Sequence, residues 1–60
     1  MIYSTFDYAQ HVANMLNQQF GYPRAYVVYD CGYRVIRTYY PNRLKGLLFQ
    51  EDGNPIVLNS

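Results

Sequence analysis

The sequence RAYVVYDCGYRVIRTYY, residues 24–40, decides the fold of this 60-residue chain. Valine, isoleucine and tyrosine dominate its two halves, and these side chains favour β-strands. Asp30, Cys31 and Gly32 interrupt the run in the middle, where a tight turn needs residues that tolerate a positive φ. The stretch therefore predicts a β-hairpin, which the rest of the chain covers or extends.

The register of this hairpin stays open at the level of sequence. A two-residue loop of Cys31 and Gly32 pairs Asp30 with Tyr33, whereas a three-residue loop pairs Tyr29 with Tyr33. The two pairings exchange the residues that share a face of the sheet. In both, each face combines valine or isoleucine with tyrosine and arginine.

The preceding segment predicts one helix from Thr5 to about Gln19, because apolar residues recur there at helical spacing. Ser4 and Thr5 are candidate N-caps, and Ser4 with Asp7 matches a loose capping box. Gly21 suits the C′ position that follows the last turn. The apolar stripe comprises Phe6, Ala9, Val12, Ala13, Leu16 and Phe20, with Tyr8 and Met15 at its margin.

After the hairpin, the sequence predicts short strands joined by turns. Pro41 ends the second strand, because proline cannot continue a central ladder. Residues 47–49, LLF, suit a short buried strand. The Asp52-Gly53 dipeptide is a hairpin turn signal, so residues 55–58 are expected to form a fourth short strand.

These elements predict an α+β fold in a single domain of residues 1–60. We expect one N-terminal helix packed on a three- to four-stranded antiparallel sheet, in the chain order α-β-β-β(-β). One helix covers only one face of such a sheet. Because neither face of the hairpin is cleanly polar, the uncovered face is expected to expose apolar area, as partner and dimer interfaces do.

Catalytic and metal-binding chemistry finds little support in the sequence. With one cysteine and one histidine, the chain lacks both an internal disulfide and the four ligands of a structural zinc site. Asp30 beside Cys31 disfavours a reactive thiolate, and His11 with Asp7 suits a solvated pair on the helix. We therefore expect no enzyme activity, no cofactor and no metal.

Arginine and tyrosine are concentrated in one part of the chain. All five basic residues lie between Arg24 and Lys45, and only Asp30 opposes them there, although the net charge of the whole chain is +1. The hairpin region is thus locally basic and rich in aromatic rings. The candidate partner-binding residues are Tyr26, Tyr29, Tyr33, Arg34, Arg37, Tyr39, Tyr40, Arg43 and Lys45.

Tyrosine and arginine are typical of protein–protein hot spots, so the sequence predicts a small binding protein that uses a Tyr/Arg-rich sheet face. Its size suggests a virus- or plasmid-encoded inhibitor of a host protein. The alternative is a single-stranded nucleic-acid-binding module that uses the same residues, which the near-neutral charge makes the second choice. Self-association is a third option, since the small chain has neither an internal disulfide nor a structural zinc site to stabilise it.

The N-terminus has no basic region followed by an apolar one, so the sequence predicts no signal peptide. No segment is long and apolar enough to predict a membrane span. The expected location is cytoplasmic, without a membrane partner.

One pattern runs through the helix and the hairpin: Ala9, Ala13, Leu16, Gly21-Tyr22-Pro23, Tyr26-Val27 and Gly32-Tyr33-Arg34-Val35. It resembles the helix–strand–strand half of a SPOR-type peptidoglycan-binding repeat. That family continues with a second helix, where this chain has Pro41, Gly46 and the Asp52-Gly53 turn. Its leading strand is missing here or cut to residues 1–3, and no binding residue carries over.

Overall fold

A computed structural model describes residues 2–50 and 52–56 of the chain. Its sheet is antiparallel with the strand order β2-β1-β3, which confirms the predicted α+β fold with three strands. The regular elements are one helix, three strands and a short 3-10 helix: α1 (Phe6–Gln19), β1 (Arg24–Tyr29), β2 (Tyr33–Thr38), Pro41–Arg43 and β3 (Leu47–Phe49).

The helix α1 begins at a threonine cap. The side-chain oxygen of Thr5 accepts a hydrogen bond of 3.2 Å from the backbone N–H of Tyr8. The predicted capping box of Ser4 and Asp7 is therefore wrong. At the other end Phe20 is extended, and its N–H donates to the Leu16 carbonyl. Gly21 follows the C-cap Phe20 and so occupies the predicted C′ position, although its φ is not positive, unlike that of the glycines at positions 32, 46 and 53.

The hairpin has the three-residue loop. Tyr29 pairs with Tyr33, and Cys31 at φ 57° and Gly32 at φ 143° turn the chain. The faces of the hairpin follow from this register. The face toward α1 carries Ala25, Val27, Tyr29, Tyr33, Val35 and Arg37. The opposite face carries Arg24, Tyr26, Val28, Arg34, Ile36 and Thr38.

The core lies between α1 and the sheet. Ala9 and Ala13 of the helix are buried against Ala25 and Val27 of β1. Small side chains at the two helix positions let the helix approach the strand closely, and larger side chains seal the margins of the contact. Those partly buried side chains are Tyr3, Phe6, Leu16, Tyr33, Val35 and Phe49.

The connection between β2 and β3 crosses the sheet, because the two strands flank β1 on opposite sides. Gly46, near the end of this connection, lies against the side chain of Val28 and the carbonyl of Tyr29. Val28 and its partner Leu48 are buried although they are on the face opposite α1. The sequence predicted that the sheet face opposite α1 would be uncovered, and this prediction is therefore wrong at the centre of that face.

The Asp52-Gly53 turn reverses the chain after β3, as predicted. The N–H of Gln50 donates to the Asn54 carbonyl at 2.7 Å, and the N–H of Ile56 donates to the Leu48 carbonyl at 2.9 Å. Pro55 forms a single bridge with Phe49. The predicted fourth strand is thus limited to this bridge within the described residues, and its remaining positions 57–58 lie outside them.

Candidate functional site

The end of the sheet opposite the hairpin loop carries four exposed aromatic rings. Phe20 and Tyr22 belong to the segment between α1 and β1, whereas Tyr39 and Tyr40 follow β2. These segments meet because the first residue of β1 pairs with the last residue of β2. Between 48% and 73% of each of the four residues is exposed. We call these four residues the aromatic patch.

The rings of the aromatic patch contact one another and a nearby arginine. Tyr22 and Tyr39 are nearly parallel, with ring centroids 6.3 Å apart and an interplanar angle of 12°. Tyr39 and Tyr40 are tilted at a centroid distance of 6.4 Å. The guanidinium carbon of Arg43 lies 5.0 Å from the Tyr40 ring centroid, in a cation–π position. The three tyrosines therefore form one continuous surface.

Arg37 of β2 fixes the segment that carries half of the aromatic patch. Its Nε donates to the Pro23 carbonyl at 3.1 Å and its Nη2 donates to the Tyr22 carbonyl at 3.2 Å. Its guanidinium carbon also lies 4.8 Å from the Phe20 ring centroid. The planar, forked guanidinium suits this set of contacts. Arg37 thus positions Phe20 and Tyr22, which makes it a supporting residue of the patch.

The aromatic patch lies in a basic environment. The segments 20–23 and 37–43 contain two arginines and no acidic residue. Asp7 and Asp30 lie at the other end of the domain, since one is in the first turn of α1 and the other in the hairpin loop. The aromatic patch therefore exposes aromatic rings and positive charge, without a nearby carboxylate from its own segments.

The nine predicted site residues are distributed over three parts of the domain. Arg37, Tyr39, Tyr40 and Arg43 belong to the aromatic patch or contact it. Tyr26 and Arg34 lie on the sheet face opposite α1, and Lys45 is exposed on the crossing connection. At the loop end, the ring centroids of Tyr29 and Tyr33 are 4.8 Å apart, and Tyr33 also packs against Phe6 and the core. The structure thus gathers four of the nine into one surface.

Sequence reasoning missed Phe20 and Tyr22. Phe20 continues the helical apolar stripe and was expected to be buried, but the chain is extended at that residue and its ring is exposed. No sequence pattern indicated a binding role for Tyr22, which precedes Pro23. Only the pairing of Arg24 with Thr38 brings these two rings to the tyrosines after β2, so no local signal could have found them.

A cleft of about 430 Å³ lies between α1, β1 and the turn after β3. Gln10, Arg24, Phe49 and Asp52 are among the residues that line it. Cys31 is exposed at the hairpin loop, and His11 is exposed on α1. Within residues 2–50 and 52–56, no group of three or more His, Cys, Asp or Glu residues could hold a metal ion.

Comparisons with known proteins return no match to any family model, curated protein or solved structure. In the described part of the chain, no helix has the length and hydrophobicity needed to cross a membrane. The aromatic patch is therefore the feature of the molecule from which a function is inferred.

Proposed function

We propose that this domain is a non-enzymatic binding protein, and that its aromatic patch binds a protein surface that combines apolar groups with carboxylates. The observation that carries the proposal is the set of four exposed rings at one end of the sheet. Tyrosine and arginine are the side chains that most often dominate the energy of protein interfaces. Carboxylates on the partner would complement Arg43 and the basic segment around it.

The arrangement of the patch lowers the cost of binding. Tyrosine has few side-chain torsions, and the contacts of Tyr22 with Tyr39 and of Tyr40 with Arg43 already restrict them. Burying roughly 200 Å² of apolar surface would contribute about 5 kcal/mol before association costs are subtracted. An interface of this size suits a transient complex, and further contacts around the patch would be needed for a tight one.

Nucleic acid fits the patch less well than protein does. Stacked bases would find suitable rings, but strand binding also requires several cations along the phosphate backbone. The Arg37 guanidinium is already engaged by two carbonyls and the Phe20 ring, so Arg43 alone of the two arginines in the segments 20–23 and 37–43 is left for a phosphate. With a net charge of +1, the chain supplies little of the electrostatic attraction on which such binding depends.

The small size of the chain suggests that it inhibits the protein that it binds. It would do so by occupying the surface of that protein that the aromatic patch covers. The virus- or plasmid-encoded origin remains part of this proposal. Inhibition by occupying a surface requires no catalytic residue.

The experiment compares three immobilised forms of the chain in a nuclease-treated lysate of the source cells. They are the wild type, the patch variant Tyr39→Ser with Tyr40→Ser, and the control Tyr29→Ser, which removes an exposed ring at the opposite end. We expect one protein to be retained by the wild type and the control, and to be lost from the patch variant. Equal retention by all three forms, or retention of a partner by the wild type only in a matched lysate without nuclease, would overturn the proposal.

A further inference from the structure

The aromatic patch has spare hydrogen-bond donors beside its exposed rings. Tyr22, Tyr39 and Tyr40 are all exposed. Among residues 2–50 and 52–56, no group accepts a hydrogen bond from the hydroxyls of these three tyrosines. The guanidinium of Arg43, which lies over the Tyr40 ring, adds a charged donor. A ligand that fits this surface therefore needs acceptors next to apolar groups.

Several backbone acceptors of the same surface are already in use. Arg37 donates to the carbonyls of Tyr22 and Pro23 at 3.2 and 3.1 Å. The N–H of Arg43 donates to the carbonyl of Tyr40 at 3.0 Å. The segments 20–23 and 37–43 contain no carboxylate that could accept. The aromatic patch is thus richer in donors than in strong acceptors, and it is matched by a ligand that has few donors of its own.

A proline-rich segment has this complementary chemistry. Proline lacks a backbone N–H, and a polyproline II helix makes no internal hydrogen bonds, so its carbonyls stay open to a partner. Aromatic-lined surfaces bind such segments through their pyrrolidine rings. Because the segment is already extended before it binds, it loses little conformational entropy. This property suits a surface as small as the aromatic patch.

The spacing of the rings fits a short segment of this kind. The ring centroids of Tyr22 and Tyr39 are 6.3 Å apart, and those of Tyr39 and Tyr40 are 6.4 Å apart. Polyproline II rises about 3.1 Å per residue, so the distance between neighbouring rings corresponds to about two residues. The three rings together extend along at most about four residues of such a segment.

Other backbone conformations match the aromatic patch less well. An added β-strand needs open backbone donors and acceptors on this chain, and the carbonyls of Tyr22 and Pro23 are already bonded to Arg37. An α-helix uses its carbonyls within its own backbone. The three tyrosine hydroxyls would then meet only the side chains of the helix.

We propose that the aromatic patch binds a proline-rich segment in the polyproline II conformation, with a carboxylate at every third position. This inference rests on the proposed function and names the chemistry of the partner. The prolines lie on the tyrosine rings, and the hydroxyls donate to the carbonyls between them. Polyproline II has three residues per turn, so the carboxylates share one edge. That edge complements the charge of Arg43, whose own segment has no carboxylate.

The test is an NMR titration of the whole chain with a synthetic peptide of three Pro-Pro-Glu repeats and blocked ends. We expect saturable shifts of the ring protons of Tyr22, Tyr39 and Tyr40, with a Kd below about 1 mM. One control peptide has alanine in place of proline, and another has lysine in place of glutamate. Each control should bind at least about fivefold more weakly, because it lacks the preformed conformation or the complementary charge.

Variants with matched controls locate the peptide on the domain. Tyr39→Ser removes a ring of the aromatic patch, and Tyr29→Ser removes an exposed ring at the opposite end of the sheet. Arg43→Gln removes the charge beside the patch, and Arg34→Gln removes an exposed charge on the face opposite α1. We expect the two patch variants to weaken binding about threefold to tenfold, and the two controls to change it by less than about twofold.

The hydroxyl donors have a test of their own. Tyr39→Phe keeps the ring and removes one hydroxyl, so we expect it to weaken peptide binding about threefold. Circular dichroism checks that each variant is folded, and Tyr39→Phe decides the location of the peptide if Tyr39→Ser does not fold.

Absence of peptide binding at about 2 mM overturns the proposal. Equal binding of either control peptide also overturns it, as does tighter binding of a single-stranded oligothymidylate. A protein that the patch still retains from the lysate would, in each of these cases, leave the proposed function standing. The two proposals therefore fail separately.

Discussion

The side-chain amide of Asn17 in α1 acts as a strand partner for Ala25 in β1. Its Oδ1 accepts from the N–H of Ala25 at 2.7 Å, and its Nδ2 donates to the carbonyl of Ala25 at 3.1 Å. The pairing of β3 with β1 reaches back only to Val27, so these two backbone groups would otherwise lie at an open edge. One side chain thus fastens the helix to the sheet and closes that edge.

Replacing Asn17 with alanine is expected to lower the free energy of unfolding by about 1 to 3 kcal/mol. The variant leaves the N–H and C=O of Ala25 without their partners in a partly buried place, and such groups are costly. Urea unfolding measures the change. The control Gln18→Ala, at an exposed helix position, should cost no more than about 0.5 kcal/mol. Equal losses in the two variants would show that the Asn17 bridge does not stabilise the fold.

Gly46 cannot be replaced by alanine without strain. Its φ is +95°, and an added Cβ would lie 2.6 Å from the Tyr29 carbonyl oxygen and 3.1 Å from Cγ1 of Val28. We expect Gly46→Ala to destabilise the domain by roughly 1 to 3 kcal/mol, because backbone and buried core would both have to shift. Gly21→Ala is the control, since an added Cβ there meets nothing within 4 Å. The thermal midpoints of the two variants should therefore differ clearly, and matching midpoints would contradict the close approach at Gly46.

Arg37→Lys tests whether Arg37 positions the aromatic patch. A lysine keeps the charge but lacks the fork that bonds the carbonyls of Tyr22 and Pro23. We expect a loss of about 1 kcal/mol in stability, together with changed NMR shifts of the Tyr22 and Tyr39 ring protons. Arg34→Lys, at an exposed position on the other face of the same strand, should leave those ring shifts in place. Unchanged ring-proton shifts in Arg37→Lys would show that Arg37 does not position the aromatic patch.

The turn after β3 is expected to depend on pH through Asp52. The backbone N–H of Asn54 donates to this carboxylate, as does its side-chain amide, and both bonds lower the pKa of Asp52 below its ordinary value of 3.8. A lowered pKa in the folded chain means that the carboxylate stabilises the turn above the unfolded pKa. This contribution is lost as the pH falls through the folded pKa.

An NMR titration of the Asp52 carboxyl measures this pKa directly. Asn54→Ala keeps the backbone donor, which is the larger cause of the shift, and removes the side-chain amide. We expect its Asp52 pKa to lie between that of the wild type and the ordinary value. A wild-type pKa at or above the ordinary value would contradict the two hydrogen bonds.

The helix and the hairpin could be predicted because their signals are local. The apolar period predicted α1, and the strand composition around Asp30-Cys31-Gly32 predicted β1 and β2. The pairing of β3 with β1 could not be predicted, because a three-residue strand has no pattern that selects its neighbour. The crossing connection and the burial of Val28 depend on that choice.

The candidate site could be predicted only in part for the same reason. The residue types were recognised, but their grouping depends on which chain segments meet at the end of the sheet. Tyr29 and Tyr39 look alike in sequence, yet one lies at the loop end and the other in the aromatic patch. Phe20 joined the patch because the helix ended one residue earlier than its apolar period.

The most direct test of the patch as a binding surface is photo-crosslinking from position 39. Tyr39 is replaced by benzoylphenylalanine, a photoreactive aromatic residue, and the chain is irradiated in a nuclease-treated lysate of the source cells. The same replacement at Tyr29, at the opposite end of the sheet, is the control. We expect position 39 to crosslink to one protein of defined mass and position 29 to leave that protein unlabelled. Equal labelling from both positions, or no protein crosslink from position 39, would contradict the account.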